Sequence, residues 1–558
     1  LVNFGVLMNF NKSDLIFLPV GGSEEIGMNA NLYHFNDKWI LVDLGISFPD
    51  ETDLGIDVLL PDFNFIKSLG DKFLGIFLTH GHEDHIGAIP YFAEFIKCPI
   101  WGSAFTIALL KRKLNENSKS NNLELNVLKI NQKIEIGDFI VKAVGTSHSI
   151  PDPMSILIST PKGKIFHSGD WKLEHSSNLG EKINFNDFRT IGSDGILAMV
   201  CDSTNALVDG RTPSELFAYN GLFNEIKNKK NIVLTTCFSS NISRIKSLLD
   251  IAAKTNRSVV IMGRALLRAI DAAKEVGFLD NIPDLVSLKD VNLIPKSNLL
   301  IICTGSQGEP NSALSRISKC LDKHIQLTRG DAVIFSSRQI PGNENAISKV
   351  QNRFLENGVE VITDNDKDVH VSGHPSRDEL VEMYSFIKPK ISIPVHGTRE
   401  HIEAHADLAN ECQVPIVIKP KNGEFIKLSE NSHGVVSNIE FTTQVYDAGE
   451  VVPIDDERFV SRRHGLWNGF VSVSVVLNEY GDLLISPQIS QTGVSNERSV
   501  SSMIADTVIK IENLIENENF NSDNLDNNLS NQILKLVRRE FKSSFSKRPI
   551  IDIHINRI

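Results

Sequence analysis

Three histidines and an aspartate fall within six residues in the stretch Thr79-His80-Gly81-His82-Glu83-Asp84-His85-Ile86-Gly87. Imidazole nitrogen and carboxylate oxygen are donors that suit zinc, manganese or iron. A lone histidine would be an ordinary core or surface residue, whereas four donors this close point to a metal. The spacing differs from the helical H-E-x-x-H motif, whose ligands stand one turn apart. Phe73-Leu74-Gly75-Ile76-Phe77-Leu78 reads as a buried strand before the cluster. Ala88-Ile89-Pro90-Tyr91-Phe92 reads as the start of an amphipathic helix after it. The donors therefore sit on a strand-to-helix loop, with Gly81 allowing a tight turn between two imidazoles.

The same pattern, a polar donor at the carboxyl end of an apolar strand, recurs along the chain. Val141 to His148, Lys164 to Asp170, Val200 to Asp202, Val369 to His374 and Ile391 to His396 all follow it. Strands ending at one edge of a sheet can feed a single site. Trp39 to Asp43 is a further buried strand ending in an acid. Asp43 is expected to orient the metal loop, the plainer alternative being a turn residue. His167 and His175 lie off the pattern and are not counted as ligands. The loop Gly21-Gly22-Ser23-Glu24-Glu25-Ile26-Gly27 is glycine-rich but lacks the Gly-Lys-Ser/Thr of a nucleotide-triphosphate loop.

From Pro213 to about Ser337 strand and helix alternate. Ile232 to Thr236, Val259 to Met262, Leu299 to Cys303 and Ala332 to Phe335 read as buried parallel strands. Helical patterns at Ile242 to Lys254 and Ala265 to Glu275 separate them. The loops that follow carry Ser239, Ser240, Arg244, Arg264, Arg268, Thr304, Ser306 and Gln307. Hydroxyls and backbone amides at strand ends favour a phosphate-bearing ligand. The expected organisation is a hydrolase domain over 1–212, an inserted βαβ domain over 213–349 and completion of the hydrolase over 350–430. An extended linker over 431–453 and a small α+β domain over 454–558 follow. In that last domain a hairpin, two helices and a final strand are expected, with a solvated Asn/Asp/Ser-rich loop between the helices.

The chain has 558 residues, 41% hydrophobic and 23% charged, which is ordinary for a globular protein. The net charge of −12 argues against a generally basic binder but leaves room for a local basic groove. Six scattered cysteines form no C-x-x-C pair and read as reduced thiols of a cytoplasmic protein. No apolar stretch is long enough for a membrane span. The run Leu1 to Met8 lacks the basic start of a signal peptide, and a first residue of leucine suggests an unusual or displaced start. No internal repeat is found.

The His-x-His-x-Asp-His pattern resembles the signature of the metallo-β-lactamase superfamily. The interruption, with Asp202, His374 and His396, resembles its β-CASP branch. The wording of Ser168-Gly169-Asp170-Trp171-Lys172, Cys201-Asp202-Ser203-Thr204-Asn205, Thr304-Gly305-Ser306-Gln307-Gly308-Glu309-Pro310, Ser372-Gly373-His374 and Pro394-Val395-His396-Gly397-Thr398 is similar to that of the bacterial ribonuclease J family. The resemblance covers nearly the whole chain. It departs from the family at Pro375, where a small residue is usual; proline there restricts His374 to extended backbone.

The resemblance implies an αββα sandwich interrupted by a β-CASP domain. It implies two divalent metals per subunit, zinc first, with manganese or magnesium as alternatives. His80, His82 and His148 would hold one metal. Asp84, His85 and His396 would hold the other, with Asp170 between them. His374 would be the general acid and Asp202 its partner. Residues His370, Val371, Ser372, Gly373 and His374 would bind substrate phosphate, alongside Ser239, Ser240, Ser306 and Gln307. The implied activity is 5′-to-3′ exonuclease with endonuclease cleavage of RNA, in mRNA decay and rRNA maturation. The implied substrate is single-stranded RNA with a 5′ monophosphate. A homodimer or homotetramer, membership of an RNA-degradation complex and no membrane association would complete the picture. The rivals are another hydrolase on the same fold, a DNA nuclease of the same branch, and a non-catalytic RNA-processing subunit. The βαβ insert disfavours the first. In this branch a histidine at the position of His396 is typical of RNA enzymes, which disfavours the second. The retention of all seven ligand types disfavours the third.

Overall fold

The computed structural model describes residues 10–49, 55–116, 123–174, 179, 183–280, 282–340, 342–517 and 525–558. The run Leu1 to Met8, His175 and the middle of the Asn-rich loop lie outside them. The chain forms two compact units, Leu1–Asp50 with Val58–Tyr446, and Glu51–Asp57 with Asp447–Ile558.

The first unit is built on two large sheets. One has eight strands in the order Gly434–Asn438, Glu424–Lys427, Ile16–Gly21, Ala30–Phe35, Lys38–Val42, Phe73–Phe77, Ile100–Gly102 and Leu125–Val127. The other has seven, ordered Ile416–Val417, Ile391–Val395, Ala198–Asp202, Gly163–His167, Met154–Thr160, Phe139–Gly145 and Lys133–Ile136. Apolar side chains alternate inward from both. Phe17, Ile40, Val42 and Phe77 share one buried cluster with Val141, Ile156, Ile165, Val200 and Ile393. The two sheets therefore pack face to face. Phe188, Leu380, Met383, Phe386 and Leu408 cover the outer face of the second sheet from three helices.

Val200 pairs in parallel with both His167 and Ile393. The strand Ala198–Asp202 therefore has parallel neighbours on both sides, and all three strands discharge their chains at the same edge. That edge carries Asp170, Asp202 and His396. The register places there residues that stand more than two hundred positions apart in sequence.

Between the halves lies an all-parallel sheet ordered Ser258–Met262, Leu299–Cys303, Val233–Thr236, Ala332–Phe335 and Glu360–Ile362. Its strands are near-continuous apolar runs because helices cover both faces. Four of these strands match the sequence expectation. The fifth, Glu360–Ile362, extends the sheet past residue 349. Its one buried residue, Ile362, leaves it without a readable apolar run.

The expected linker also contains ordered strands. Gly434–Asn438 closes one side of the eight-stranded sheet, and Gln444 and Val445 pair with Leu60 and Leu59. The second unit has a three-stranded sheet ordered Leu483–Thr492, Phe470–Leu477, Ile550–Arg557. Val471, Val473, Val475 and Leu477 face Ile511, Ile533, Val537 and Phe541 of its two long helices. A helix over Glu457–Asn468, unforeseen in the sequence, precedes the sheet. Among the described residues no helix is long and apolar enough to cross a membrane.

Candidate metal centre

The loop after Phe73–Phe77 is held at its backbone before any side chain is considered. Asn29 N donates to Asp84 O, Leu44 N to His85 O, and Ile46 N to Glu83 O. A Cβ on Gly45 would stand 1.7 Å from Asp84 O, so this approach needs glycine. Gly81 is not left-handed. It supplies room instead, since a Cβ there would lie 3.3 Å from Leu109 Cδ2. Asp43 accepts from Thr79 N and from Thr79 Oγ1, and its Oδ2 lies 2.7 Å from His85 Nδ1. Asp43 and His396 both take left-handed φ, 63° and 54°. Such strain in non-glycine residues collects at functional sites.

All seven expected ligands meet at one place. Asp170 Oδ2 lies 3.3 Å from His85 Nε2, 3.5 Å from His396 Nε2, 3.6 Å from His148 Nε2 and 3.7 Å from His80 Nε2. His82 Nδ1 is 2.9 Å from His80 Nε2 and 3.1 Å from His148 Nε2. Asp84 Oδ2 is 3.5 Å from His85 Nε2 and 3.6 Å from His396 Nε2. Two sets of donors, His80/His82/His148/Asp170 and Asp84/His85/His396/Asp170, each converge within 4.8 Å.

These residues fit divalent metal. Ring nitrogens facing each other at hydrogen-bond distance repel unless a proton or cation lies between them. Asp170 Oδ1 is buried with no hydrogen-bond partner, an expensive state that a cation relieves. Burial, then the neighbouring His85 and His82, pushes the His80 imidazole well down from its usual range. Burial pushes His82 down to about 4, and His148 is also held low. Neutral imidazole is the form that ligates. At His85 and His396 burial also pushes down, but Asp170 outweighs it and both are raised, so a cation there would displace a proton. Burial pushes the Asp170 carboxyl up, but His396, His85 and His374 outweigh it and hold the group well below its usual range.

His374 belongs to the same centre, outside the two expected ligand sets but in a third convergent group with Asp170, Asp202 and His396. Its Nδ1 is 2.7 Å from Asp202 Oδ2 and 3.9 Å from Asp170 Oδ2. Its side chain is 20% exposed, whereas that of Asp202 is 1% exposed. Burial pushes the His374 ring down, but Asp202 and then Asp170 outweigh it and raise it above its usual value. Three side chains fix its backbone. Asn205 Nδ2 and Thr212 Oγ1 both donate to His374 O, and Ser372 Oγ accepts from His374 N. The carbonyl just before Pro375 is thus fully used. Gly373 O lies 2.7 Å from His148 Nδ1, and a Cβ on Gly373 would stand 2.6 Å from that ring.

The sequence reading missed Asn29. Its Nδ2 is 3.1 Å from both His85 Nε2 and His396 Nδ1. A lone asparagine between strands gave no signal. The glycine-rich loop before it forms a wall of the centre: His396 N donates to Gly22 O, and Ser23–Glu24 pairs with Gly397–Thr398. His167 contacts Tyr33 OH at 2.8 Å inside the core and is no ligand.

The other expected substrate residues are placed less uniformly. Ser239 and Ser240 are half-buried on the loop after Val233–Thr236. Ser306 is buried, and Gln307 spends its amide on Arg338 O and Ile340 N. Val371 is buried, while the His370 ring lies 3.3 Å from Arg244 Nη1. Arg244, whose position suggested a phosphate ligand, is fully buried. It donates to Glu215, Ser336 O, Ser336 Oγ and Val369 O. Lys172, also buried, lies 3.2 Å from Glu174 and 3.7 Å from Glu215. Arg268 pairs with Glu116.

Three family models match the chain in order. They are a β-lactamase superfamily domain over residues 38–187, a ribonuclease J β-CASP domain over 229–354, and a Zn-dependent metallo-hydrolase RNA specificity domain over 358–420. A ribonuclease J of Sinorhizobium meliloti is 37% identical over 500 residues, covering 89% of this chain and 88% of its own. One from Helicobacter pylori strain B128 is 30% identical over 557 residues, covering 98% and 80%. A crystal structure of a protein of unknown function from Enterococcus faecalis V583 has a TM-score of 0.53 at 17% identity. It covers 75% of this chain and 100% of its own, a likeness of fold alone. The two facing sheets are the metallo-β-lactamase sandwich, and the parallel sheet is its β-CASP insertion. Domain matches in sequence order and relatives aligned along most of their length agree with the donor geometry: the chain belongs to the ribonuclease J family of metallo-hydrolase nucleases.

Proposed function

We propose that the protein hydrolyses RNA phosphodiesters as a 5′-to-3′ exonuclease with slower internal cleavage, serving mRNA decay and rRNA maturation in the cytoplasm. The observation that carries this reading is the His374–Asp202 pair, 2.7 Å apart, beside seven convergent metal donors. His80, His82 and His148 would hold one divalent ion and Asp84, His85 and His396 a second, with Asp170 available to both. The nitrogen-rich donor set favours zinc over magnesium, with manganese between. When bound, the ions polarise the phosphate and acidify water at neutral pH.

The protein's own residues do the rest. Asp202 engages His374 Nδ1, which leaves Nε2 to carry the proton delivered to the departing 3′ oxygen. Asn205 and Thr212 keep that ring in place through its carbonyl. Ser372 Oγ and the 370–374 backbone bind the phosphate, with Ser239, Ser240 and Ser306 along the adjoining strand-end loops. A single strand threads between these loops and the donors, gripped by its backbone. These groups suit a 5′ monophosphate and provide no cluster of cations for a triphosphate.

The test is a time course on two single-stranded RNAs that differ only at the 5′ end. The monophosphorylated RNA releases mononucleotides stepwise, and the triphosphorylated one resists. Equal release from both defeats the monophosphate pocket, and release from the 3′ end defeats the threading direction. Single-stranded DNA of the same sequence, run alongside, separates this reading from that of a DNA nuclease.

A further inference from the structure

Three cations act on the His370 ring at the head of the phosphate segment: Arg244, Lys172 and Arg338. Two are interior charges. Arg244 and Lys172 are both buried and face Glu215, so a ligand cannot reach them without breaking that network. Arg338 differs. It follows the strand Ala332–Phe335, at the carboxyl edge of the parallel sheet, and its side chain is exposed.

Its base is nevertheless anchored. Gln307 Nε2 donates to Arg338 O at 2.9 Å, and Gln307 Oε1 accepts from Ile340 N at 2.9 Å. Arg338 Nη1 donates to Asn205 Oδ1 at 2.7 Å. The amide nitrogen of Asn205 donates to Ser372 Oγ at 2.8 Å and to His374 O at 3.1 Å. A single asparagine therefore joins the guanidinium to the segment bearing Ser372 and His374. Nη1 is engaged by Asn205, and among the described residues no other guanidinium nitrogen of this exposed side chain has a hydrogen bond. A planar fork of fixed donors matches the non-bridging oxygens of a phosphate. Being one hydrogen-bonded residue removed from Ser372 and His374, it reaches a neighbour of the phosphate that they hold.

We propose that Arg338 binds a backbone phosphate of the RNA strand adjacent to the scissile one, with Asn205 as its anchor. This rests on the nucleolytic reading above and adds a binding subsite to it. Apart from Arg264, exposed after the strand Ser258–Met262, the strand-end loops offer hydroxyls and amides, so Arg338 adds salt-sensitive grip on this side of the strand. It is a substrate-binding residue with no part in the proton transfer.

The experiment measures anisotropy of a fluorescent, 2′-O-methylated single-stranded RNA with the intact protein across a range of salt. Arg338→Ala is expected to weaken binding roughly tenfold at low salt, the loss of one charge-assisted contact. The slope of log affinity against log salt should fall by about 0.7, the value for one phosphate on a single strand. Arg338→Lys should restore the slope while leaving part of the affinity lost, because it keeps the charge without the fork. A lysine variant that matches alanine in slope overturns the proposal. So does an alanine variant that keeps the wild-type slope, even with weakened affinity, since that assigns Arg338 to holding Asn205 alone. Cleavage of unmodified RNA by the wild-type protein is assayed in parallel. Its absence sinks the nuclease reading, while the salt slope still decides whether Arg338 meets a phosphate.

Discussion

Asp170 and His374 stand less than 4 Å apart, yet the reading gives them different roles that one pair of substitutions separates. Asp170 faces both sets of donors, and its other oxygen has no partner. Asp170→Ala should abolish most metal retention and lower RNA cleavage by several orders of magnitude with the fold intact. Metal analysis and a circular dichroism spectrum check this, and near-normal turnover would discard the dinuclear assignment. His374→Ala should keep its metal and still bind RNA, yet cleave about 10²–10⁴-fold more slowly, the range for a lost general acid. Loss of metal in that variant would make His374 a ligand. The sequence made both residues visible, Asp170 as a polar donor after an apolar strand and His374 through its motif, although Val369 to His374 forms a loop and not the expected strand. It did not make Asn29 visible, and it showed Asn205 only as the end of a motif without a role. An asparagine has no characteristic spacing, and these two act only through partners far away in the chain.

At the scale of elements, the same limit explains what could be read and what could not. The buried strands of the parallel sheet are continuous apolar runs, so four of five were legible. Glu360–Ile362 has one fully buried residue and was not. Gly434–Asn438 has none, so it read as linker although it pairs along Glu424–Lys427. Arg244 misled for a related reason. Its loop position suggested a ligand, while its burial depends on Glu215, Ser336 and Val369, which sequence does not place beside it. The cluster of Lys172, Arg244, Glu174 and Glu215 balances two charges of each sign inside the protein, joining the helix Ile242–Lys254 to the loop leading to His370. Breaking one partner of a buried pair is strongly destabilising, by about 3–5 kcal/mol, because the other charge stays buried. Arg244→Met should therefore lower the denaturation midpoint sharply. Adding Glu215→Gln restores charge balance with Lys172 and Glu174, so the double variant should be more stable than Arg244→Met alone. A double-mutant cycle measures this coupling, and additive losses would mean that charge balance is not what holds the cluster.

For the whole molecule, the two units divide the work unequally. Every expected metal donor belongs to the unit containing Val58–Tyr446, whereas the unit Asp447–Ile558 has its own core and none of the donors. Its three-stranded sheet leaves Leu483–Thr492 and Ile550–Arg557 as outer strands. Unpaired strand edges are templates for association unless blunted by charge, proline or cover. On Leu483–Thr492, Leu484 and Ile485 are 49% and 55% exposed, although Pro487 interrupts the donor row. A small unit with an apolar edge is suited to pairing with a copy of itself, and closed two-fold pairing is the commonest outcome for identical chains. We therefore expect the protein to be a dimer or tetramer through this unit. Truncation after Tyr446 should lower the mass seen by light scattering to that of a smaller assembly or a monomer, while metal content per chain stays unchanged. If the truncated protein keeps its oligomeric order, the interface lies on the metal-bearing unit. If it keeps the order but loses metal, the tail has a role in holding the donors that their placement gives no reason to expect.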